Sequence, residues 1–368
     1  MPVSIGMRRV GRVVFFALLA GLLAPAASTG LQHHHDTSAS SRNELTKNER
    51  LEFIRRAQVW NHTDIRSKNI RAGPGGAGAF QPDETVTCDY AGVPTHGASR
   101  KFYCSIAGKV VKVRYGSHNG EVEASVVATR LLWALGFPAD RVYPVRVRCR
   151  GCSSDPWKNR GRTNGVHDFD PAVIERKPSG REMREGSKKA GWSWSELDLV
   201  DENQGGAPRA QVDALRLLAV LMQHSDTKSH QQRLLCLSHD SAGTGMCDKP
   251  FLVLHDVGLT FGRANTLNSS HIASVNFDDW SRTPVWKNAP ACVGQLTRSI
   301  FGTLGDPRIS EAGRKFLADL LMQLDERQVH DLFDIAHVDR RAPYARVEDW
   351  VEAFNRKRLE IVSNSCAD

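Results

Sequence analysis

The chain has 368 residues, 49 Lys and Arg against 41 Asp and Glu, and a formal net charge of +8. This length is enough for two lobes with cores of their own, at about 100–200 residues per domain, and it excludes a single small module. The modest positive surplus suits acidic ligands such as phosphates but is no signature of nucleic-acid binding, so no nucleic-acid partner is expected.

Residues 1–26 read as a secretory signal peptide. Arg8, Arg9 and Arg12 form a basic start, Val13 to Leu23 an apolar run, and Ala24-Pro25-Ala26 supplies small residues for cleavage after Ala26. A membrane span needs roughly 20 apolar residues, and this run is shorter before Pro25 breaks it. No later segment has the length and apolarity of a span, so the expectation is a secreted or periplasmic protein with no stable span after cleavage. Cleavage would leave 342 residues and a charge of +5, because the leader carries three arginines and no acid.

Residues 27–85 are polar and Gly-rich and read as a flexible N-terminal arm; only Leu51 to Trp60 has helical apolar spacing. The triplet His33 to His35 reads as part of a solvated tail. From Val86 the pattern changes. Val86 to Tyr90, Lys101 to Ile106 and Lys109 to Tyr115 are short runs rich in β-branched and aromatic residues, separated by turns at Gly97 and Gly108, and predict three antiparallel strands. Glu121 to Leu135 has helical spacing and ends at Gly136. Val142 to Val147 and Ala172 to Arg176 read as further strands, and the link between lobes is placed in 153–206.

Val212 to Gln223 predicts a strongly apolar helix. Arg233 to Leu237 and Phe251 to Leu254 predict strands, and the rest is helical near Ser310 to Leu324, Glu326 to Ala336 and Val347 to Val362. Asp325 with Gln328 three residues on predicts a capping box. The order is a small β-rich lobe with one helix, then a larger helical lobe.

All eight cysteines follow the leader: Cys88, Cys104, Cys149, Cys152, Cys236, Cys247, Cys292 and Cys366. In an oxidising compartment an even count reads as disulfides, with the pairing left open. Cys149-Arg-Gly-Cys152 reads alternatively as half a zinc site or a redox dithiol, but no second CxxC completes a set of four ligands. Cys236 and Cys247 flank a Ser/Gly/Asp-rich stretch between two apolar runs, which predicts a staple across a hairpin.

The residues with the chemistry lie in two segments about thirty residues apart: His224-Ser-Asp226-Thr-Lys228-Ser-His-Gln231-Gln232, and His255-Asp256-Val-Gly258. An Asp after a buried helix, a Lys two residues on and an amide five residues on can orient an acceptor hydroxyl, neutralise developing charge and help hold a metal. A second Asp at a strand end, followed by a Gly that lets the chain turn, adds a metal ligand.

These segments resemble the HxDxKxxN and DFG motifs of the protein-kinase-like superfamily, over roughly Val86 to Gly262. The resemblance is nearest to its HipA-like, phosphatidylinositol-kinase-like and secreted-kinase branches. It implies an α+β, bilobal, protein-kinase-like fold, with a nucleotide-binding lobe at 86–176 and a helical lobe at 177–368. It also implies ATP with Mg2+ or Mn2+ as cofactors. Asp226 and Lys228 take catalytic positions, and Asp256 and Gln231 metal positions. Gln231 replaces the family's Asn, with Gln232 as a competitor, and Val257 replaces the Phe of DFG.

Lys112 resembles the ATP-anchoring lysine, with Glu123 preferred over Glu121 as its partner. Gly97, Ser99 and Lys101 resemble the short GxxxK loop of HipA-like kinases, and Glu175 and Arg176 the strand leading into the hinge. Arg263 and Asn265 are candidates for the acceptor side. Trp192 and Trp194 read as packing under a loop rather than stacking on a base.

The function implied is an exported ATP- and metal-dependent phosphotransferase acting on a protein, lipid or small-molecule hydroxyl. The alternatives are an exported pseudokinase that binds nucleotide or scaffolds a partner, and an AMP-transferring enzyme on the same fold.

Overall fold

The structure, a computed structural model, describes residues 45–183, 191–237, 247–262, 276–297, 301–340 and 344–367. The leader, His33 to His35, Arg263 and Asn265 lie outside the described residues. Among the described residues no helix is long and apolar enough to cross a membrane.

The first element corrects an expectation, because the stretch from 45 to 84 is not an arm. Helix α1, Lys47–Arg55, starts on a capping box in which Thr46 and Glu49 satisfy each other's backbone N–H. Its Ile54 is buried, as are Ala57, Val59, Ile65 and Ile70 beyond it. The backbone between them is also tied down: Gln58 N–H donates to the Pro250 carbonyl (2.7 Å), Asn61 N–H to Gly136 (2.9 Å), and the Gln328 amide to Ile65 and Lys68 (2.8 and 2.9 Å). The anchors come singly along an irregular chain, so neither helical nor strand periodicity reveals them.

Strands β1 (Thr85–Tyr90), β2 (Lys101–Ile106) and β3 (Lys109–Tyr115) fall where their β-branched and aromatic content predicts. Helix α2, Glu121–Leu135, ends on Gly136 in the left-handed region at φ 87°. Strands β4 (Arg141–Arg150) and β5 (Val166–Arg176) are longer than expected. Among the extra residues Cys149 and Phe169 are buried between exposed charges, and Arg148 and Arg150 make paired hydrogen bonds to Asp168 and Asp89 on the neighbouring strands.

This added length lets Thr85–Asp89 pair in parallel with Arg146–Arg150, which closes the sheet into a barrel of order β1-β2-β3-β5-β4. The expected purely antiparallel lobe is therefore corrected to a closed barrel with one parallel seam, which leaves it without an open edge. Phe102, Tyr115 and Phe169 meet at its centre with ring centroids 4.8–5.5 Å apart.

Beyond the barrel, β6 (Arg181–Met183) joins a three-stranded sheet of order β6-β7-β8, and α3 spans Arg209–Leu221. Strands β7 (Gln232–Cys236) and β8 (Pro250–Leu254) form a hairpin, followed by α4 (Phe277–Arg282) and the small pair β9 (Trp286–Asn288) and β10 (Val293–Gly294). Helices α5 (Glu311–Leu321), α6 (Glu326–Asp334) and α7 (Val347–Ser363) complete the fold, and α6 carries the predicted Asp325/Gln328 box.

Helix α2 lies between the barrel strands in sequence, yet its apolar residues join the larger core with α3, α5, α6 and the 54–70 stretch. Trp280 stacks on Trp350 within that core, with ring centroids 5.4 Å apart.

Four disulfides pair the cysteines: Cys88–Cys104, Cys149–Cys152, Cys236–Cys247 and Cys292–Cys366. The third is the predicted hairpin staple. The whole is a mixed α/β fold, a barrel set against a mainly helical part.

Candidate active site

The barrel interior takes Phe102, Cys104, Val111, Val113 and Ile174, so their alternating neighbours face outward. That outer face brings Lys101 directly across from Arg114, Tyr103 across from Lys112, and Lys112 across from Glu175. Lys112 Nζ sits 2.7 Å from Glu175 Oε1 and 3.9 Å from Asp256 Oδ2. The strand lysine and the Asp of the DxG segment therefore share one cluster.

Arg114 occupies the centre of it. Its Nε donates to Glu121 Oε2 at 2.9 Å, and its two terminal nitrogens donate to Glu175 and Asp256. One buried guanidinium thus joins a strand, a helix and the DxG turn, a use of its planar fork that lysine cannot copy. Ser99 Oγ donates to the same Glu121 carboxylate at 2.9 Å, and Lys101 Nζ to Ser99 Oγ at 3.4 Å.

Lys112 does not take its expected partner Glu123. Two positions on a helix are about 200° apart, so Glu121 faces this cluster while Glu123 lines a separate small cavity with Asp83, Pro144 and Asp170. Glu175, expected only as strand backbone, supplies the carboxylate. Arg176 stacks over Phe80, its guanidinium carbon 5.0 Å from the ring centroid.

The electrostatics follow from these contacts. Burial works against the Glu175 charge, but Lys112 and Arg114 outweigh it and hold its carboxyl at about 2. Asp256 is likewise held well below the carboxylate range: desolvation opposes its charge, and Arg114, Lys112 and Lys101 overcome it. Desolvation lowers Lys101 despite Asp256 and Glu121 nearby.

Asp256 sits at φ 56°, a left-handed conformation uncommon for a side chain of any size. Gly258 packs on Glu121, where an added Cβ would lie 2.9 Å from the Glu121 Cβ. The DxG turn and the first turn of α2 are thereby in contact.

The 224–231 loop is bonded to the segment that follows β8. His255 N–H donates to the Gln231 carbonyl at 2.8 Å, and Ser225 N–H to the Leu259 carbonyl at 3.0 Å. Within the loop, Asp226 is bound at both oxygens, by Lys228 Nζ (2.8 Å) and by Gln231 Nε2 (2.8 Å). Gln231 Oε1 is then left as a buried acceptor with no hydrogen-bond partner.

The competing Gln232 is engaged elsewhere. With its amide oriented by its surroundings, it donates to the Lys228 and Trp192 carbonyls and accepts from Trp194 Nε1 at 3.1 Å. Trp192 and Trp194 are buried, as the packing reading expects. His224 is fully buried edge-on to Trp194, and burial lowers its imidazole to about 4.

An orphaned amide oxygen and a carboxylate are hard oxygen donors, the set that suits Mg2+ or Mn2+. Gln231 Oε1 and the Asp256 carboxylate are donors of this kind, on segments joined by the His255 N–H bond to the Gln231 carbonyl, and Arg114 already engages Asp256. Tyr103, Val110, Lys112, Glu175 and Lys177 line a cavity of about 330 Å3.

Two site residues escaped the sequence reading. Arg114 stands two positions after Lys112 on one strand and so shares its face, a period-2 signal that was present. Asp140, bonded to His255 Nδ1 directly before Asp256, follows α2 with no pattern to mark it.

No protein-family model matches the chain, and no curated protein matches its sequence. Among solved structures, the chain is similar to the crystal structure of a Helicobacter pylori proinflammatory kinase, CtkA, at a TM-score of 0.40 and 13% sequence identity. The match covers 77% of this chain and 95% of that one, and a TM-score this low does not establish a shared fold.

Proposed function

We propose that the chain is an exported, kinase-like phosphotransferase that uses ATP and a divalent metal ion to phosphorylate a hydroxyl group. The observation that carries this reading is the cluster of Lys112, Glu175 and Asp256, whose Lys112 and Glu175 line a cavity, together with an Asp226 that is ion-paired to Lys228 and hydrogen-bonded to Gln231. Lys112 is suited to hold nucleotide phosphates, with Glu175 fixing its position. Asp226 is suited to orient the acceptor hydroxyl, and Lys228 to offset charge on the transferred group. Gln231 and Asp256 would hold the ion, which when bound would screen the phosphate charge. Export is supported by four disulfides among the described residues, which belong to oxidising compartments.

One observation favours a second reading, a pseudokinase that binds nucleotide without turnover: Arg114 already engages the Asp256 carboxylate. Incubation of the chain with ATP labelled on the γ-phosphate, Mn2+ or Mg2+ and a panel of protein and lipid acceptors separates the two. The phosphotransferase reading predicts label transfer that Asp226→Ala lowers by about 10²–10⁴-fold with nucleotide binding retained. Binding without transfer in wild type and variant alike favours the pseudokinase, and the absence of both overturns the nucleotide reading.

A further inference from the structure

Two of the four disulfides touch. Cys88–Cys104 bridges β1 and β2, and Cys149–Cys152 closes the end of β4; between them Cys104 Sγ and Cys149 Sγ are 3.8 Å apart. Cys88 and Cys149 are direct partners in the parallel seam that closes the barrel. Cys88, Cys104 and Cys149 place their sulfurs within 4.8 Å of one another, and all four cysteines are buried.

A sulfur 3.8 Å from a neighbouring disulfide can exchange with it once it is a thiolate that has been freed to swing into line with the S–S bond. All four sulfurs are buried in the resting fold, so a reductant must enter by local opening, for which the CxxC turn at the barrel end, leading into the exposed stretch 158–164, is placed. Arg162 lies against Gly151, where an added Cβ would meet its Nε at 3.2 Å, so a cation stands beside the turn to favour ionisation.

We propose that these four cysteines form a two-disulfide exchange centre whose reductant is a dithiol. One thiolate of the dithiol attacks Cys152 Sγ, the Cys149–Cys152 bond breaks, and Cys149 leaves as a thiolate. The second thiol of the reductant then displaces Cys152, which takes up a proton, and the reductant departs as its own disulfide. Cys149 attacks Cys104 Sγ; a Cys104–Cys149 bond forms, the Cys88–Cys104 bond breaks, and Cys88 leaves and is protonated. The protein gains two electrons and two protons and keeps one bridge, now between β2 and β4.

The same sulfurs as a tetrathiolate metal centre would leave about two net negative charges beside Phe102, Val86 and Val147, at a heavy desolvation cost. Exchange ends with every sulfur neutral.

The structural consequence falls on the β1–β2 hairpin. Its two strands share only the pairs Asp89↔Ser105 and Tyr90↔Cys104, and Cys88–Cys104 reinforces them at the base of the 91–100 connection. Moving the bridge to Cys149 releases that base, and with it the loop that carries Gly97 and Ser99.

The four cysteines fall on different tryptic peptides, because cleavage follows Arg100, Lys101, Arg148 and Arg150. The test is reduction of the full chain with less than one equivalent of dithiothreitol, followed by alkylation in acid and nonreducing peptide mapping. The proposal predicts a Cys104–Cys149 peptide, with Cys88 and Cys152 alkylated in equal yield. Alkylated Cys149 and Cys152 beside an intact Cys88–Cys104 bridge, with no crossed peptide, overturns it. The variant Cys152→Ser, which leaves Cys149 as a permanent thiol, should show the Cys104–Cys149 bridge without reductant. A variant that folds, as judged by its circular dichroism, and retains only Cys88–Cys104 also overturns the proposal.

Discussion

The barrel and the helical part are held together in opposite ways. The barrel draws its core from one consecutive stretch, Val86 to Ile174, and adds two disulfides. The larger core gathers residues from Ile54 to Ile361, and it captures α2 from between the barrel strands. A strand positions its side chains locally by alternation, whereas the loop carrying Asp226 is placed by contacts that are distant in sequence, such as Leu304 N–H on Thr227 Oγ1 at 3.1 Å. The candidate site lies where a locally fixed face meets a remotely assembled one, and Arg114 is the bond between them.

Loss of that bond should have the largest effect on the molecule. Arg114→Ala leaves Glu121, Glu175 and Asp256 without their shared cation and should cost about 3–5 kcal/mol in urea unfolding, with Arg114→Lys recovering only part. A loss below about 1 kcal/mol would mean the two halves do not depend on it.

Next comes the reach of the larger core. Ile54→Ala should cost about 2–5 kcal/mol as a buried truncation, against about 0.5 kcal/mol for a residue on a solvated arm.

The third effect is on pH. His224 has a folded pKa of about 4 against an ordinary 6.5, so between those values only the unfolded chain takes up a proton. Stability should therefore fall as pH drops from about 6.5 towards 4, by at most about 3 kcal/mol, and His224→Asn should flatten that part of the profile. An unchanged slope in the variant would assign the loss to other groups. The smallest effect belongs to the barrel exterior: Arg148→Ala removes an exposed, solvent-screened pair with Asp168 and should leave the urea midpoint almost unchanged.

The same contrast explains what could be read from the sequence. The β-branched and aromatic runs Lys101 to Ile106 and Lys109 to Tyr115, set off by glycine turns, located β2 and β3 to the residue, and helical spacing did the same for α2. The barrel closure was hidden, because pairing Thr85 with Arg146 is a long-range match between strands whose outer positions are charged. In the site, Asp226, Lys228, Asp256 and Lys112 stood out by type and spacing. The choice between Glu121 and Glu123 required the helical phase, and Glu175 was hidden because its role depends on which strand lies beside β3. The stretch 57–70 had no period to detect, since each anchor sits alone in irregular chain.

The central claim is that Asp256 and Lys112 serve one nucleotide- and metal-binding cleft. Thermal unfolding of the chain with ATP and MnCl2, together and separately, tests it most directly, because a ligand that binds only the folded state raises the melting temperature by mass action. The account predicts a rise with ATP and Mn2+ together that exceeds either alone and disappears in Asp256→Asn. An equal rise in wild type and Asp256→Asn, or no rise at millimolar ATP and Mn2+, would contradict it.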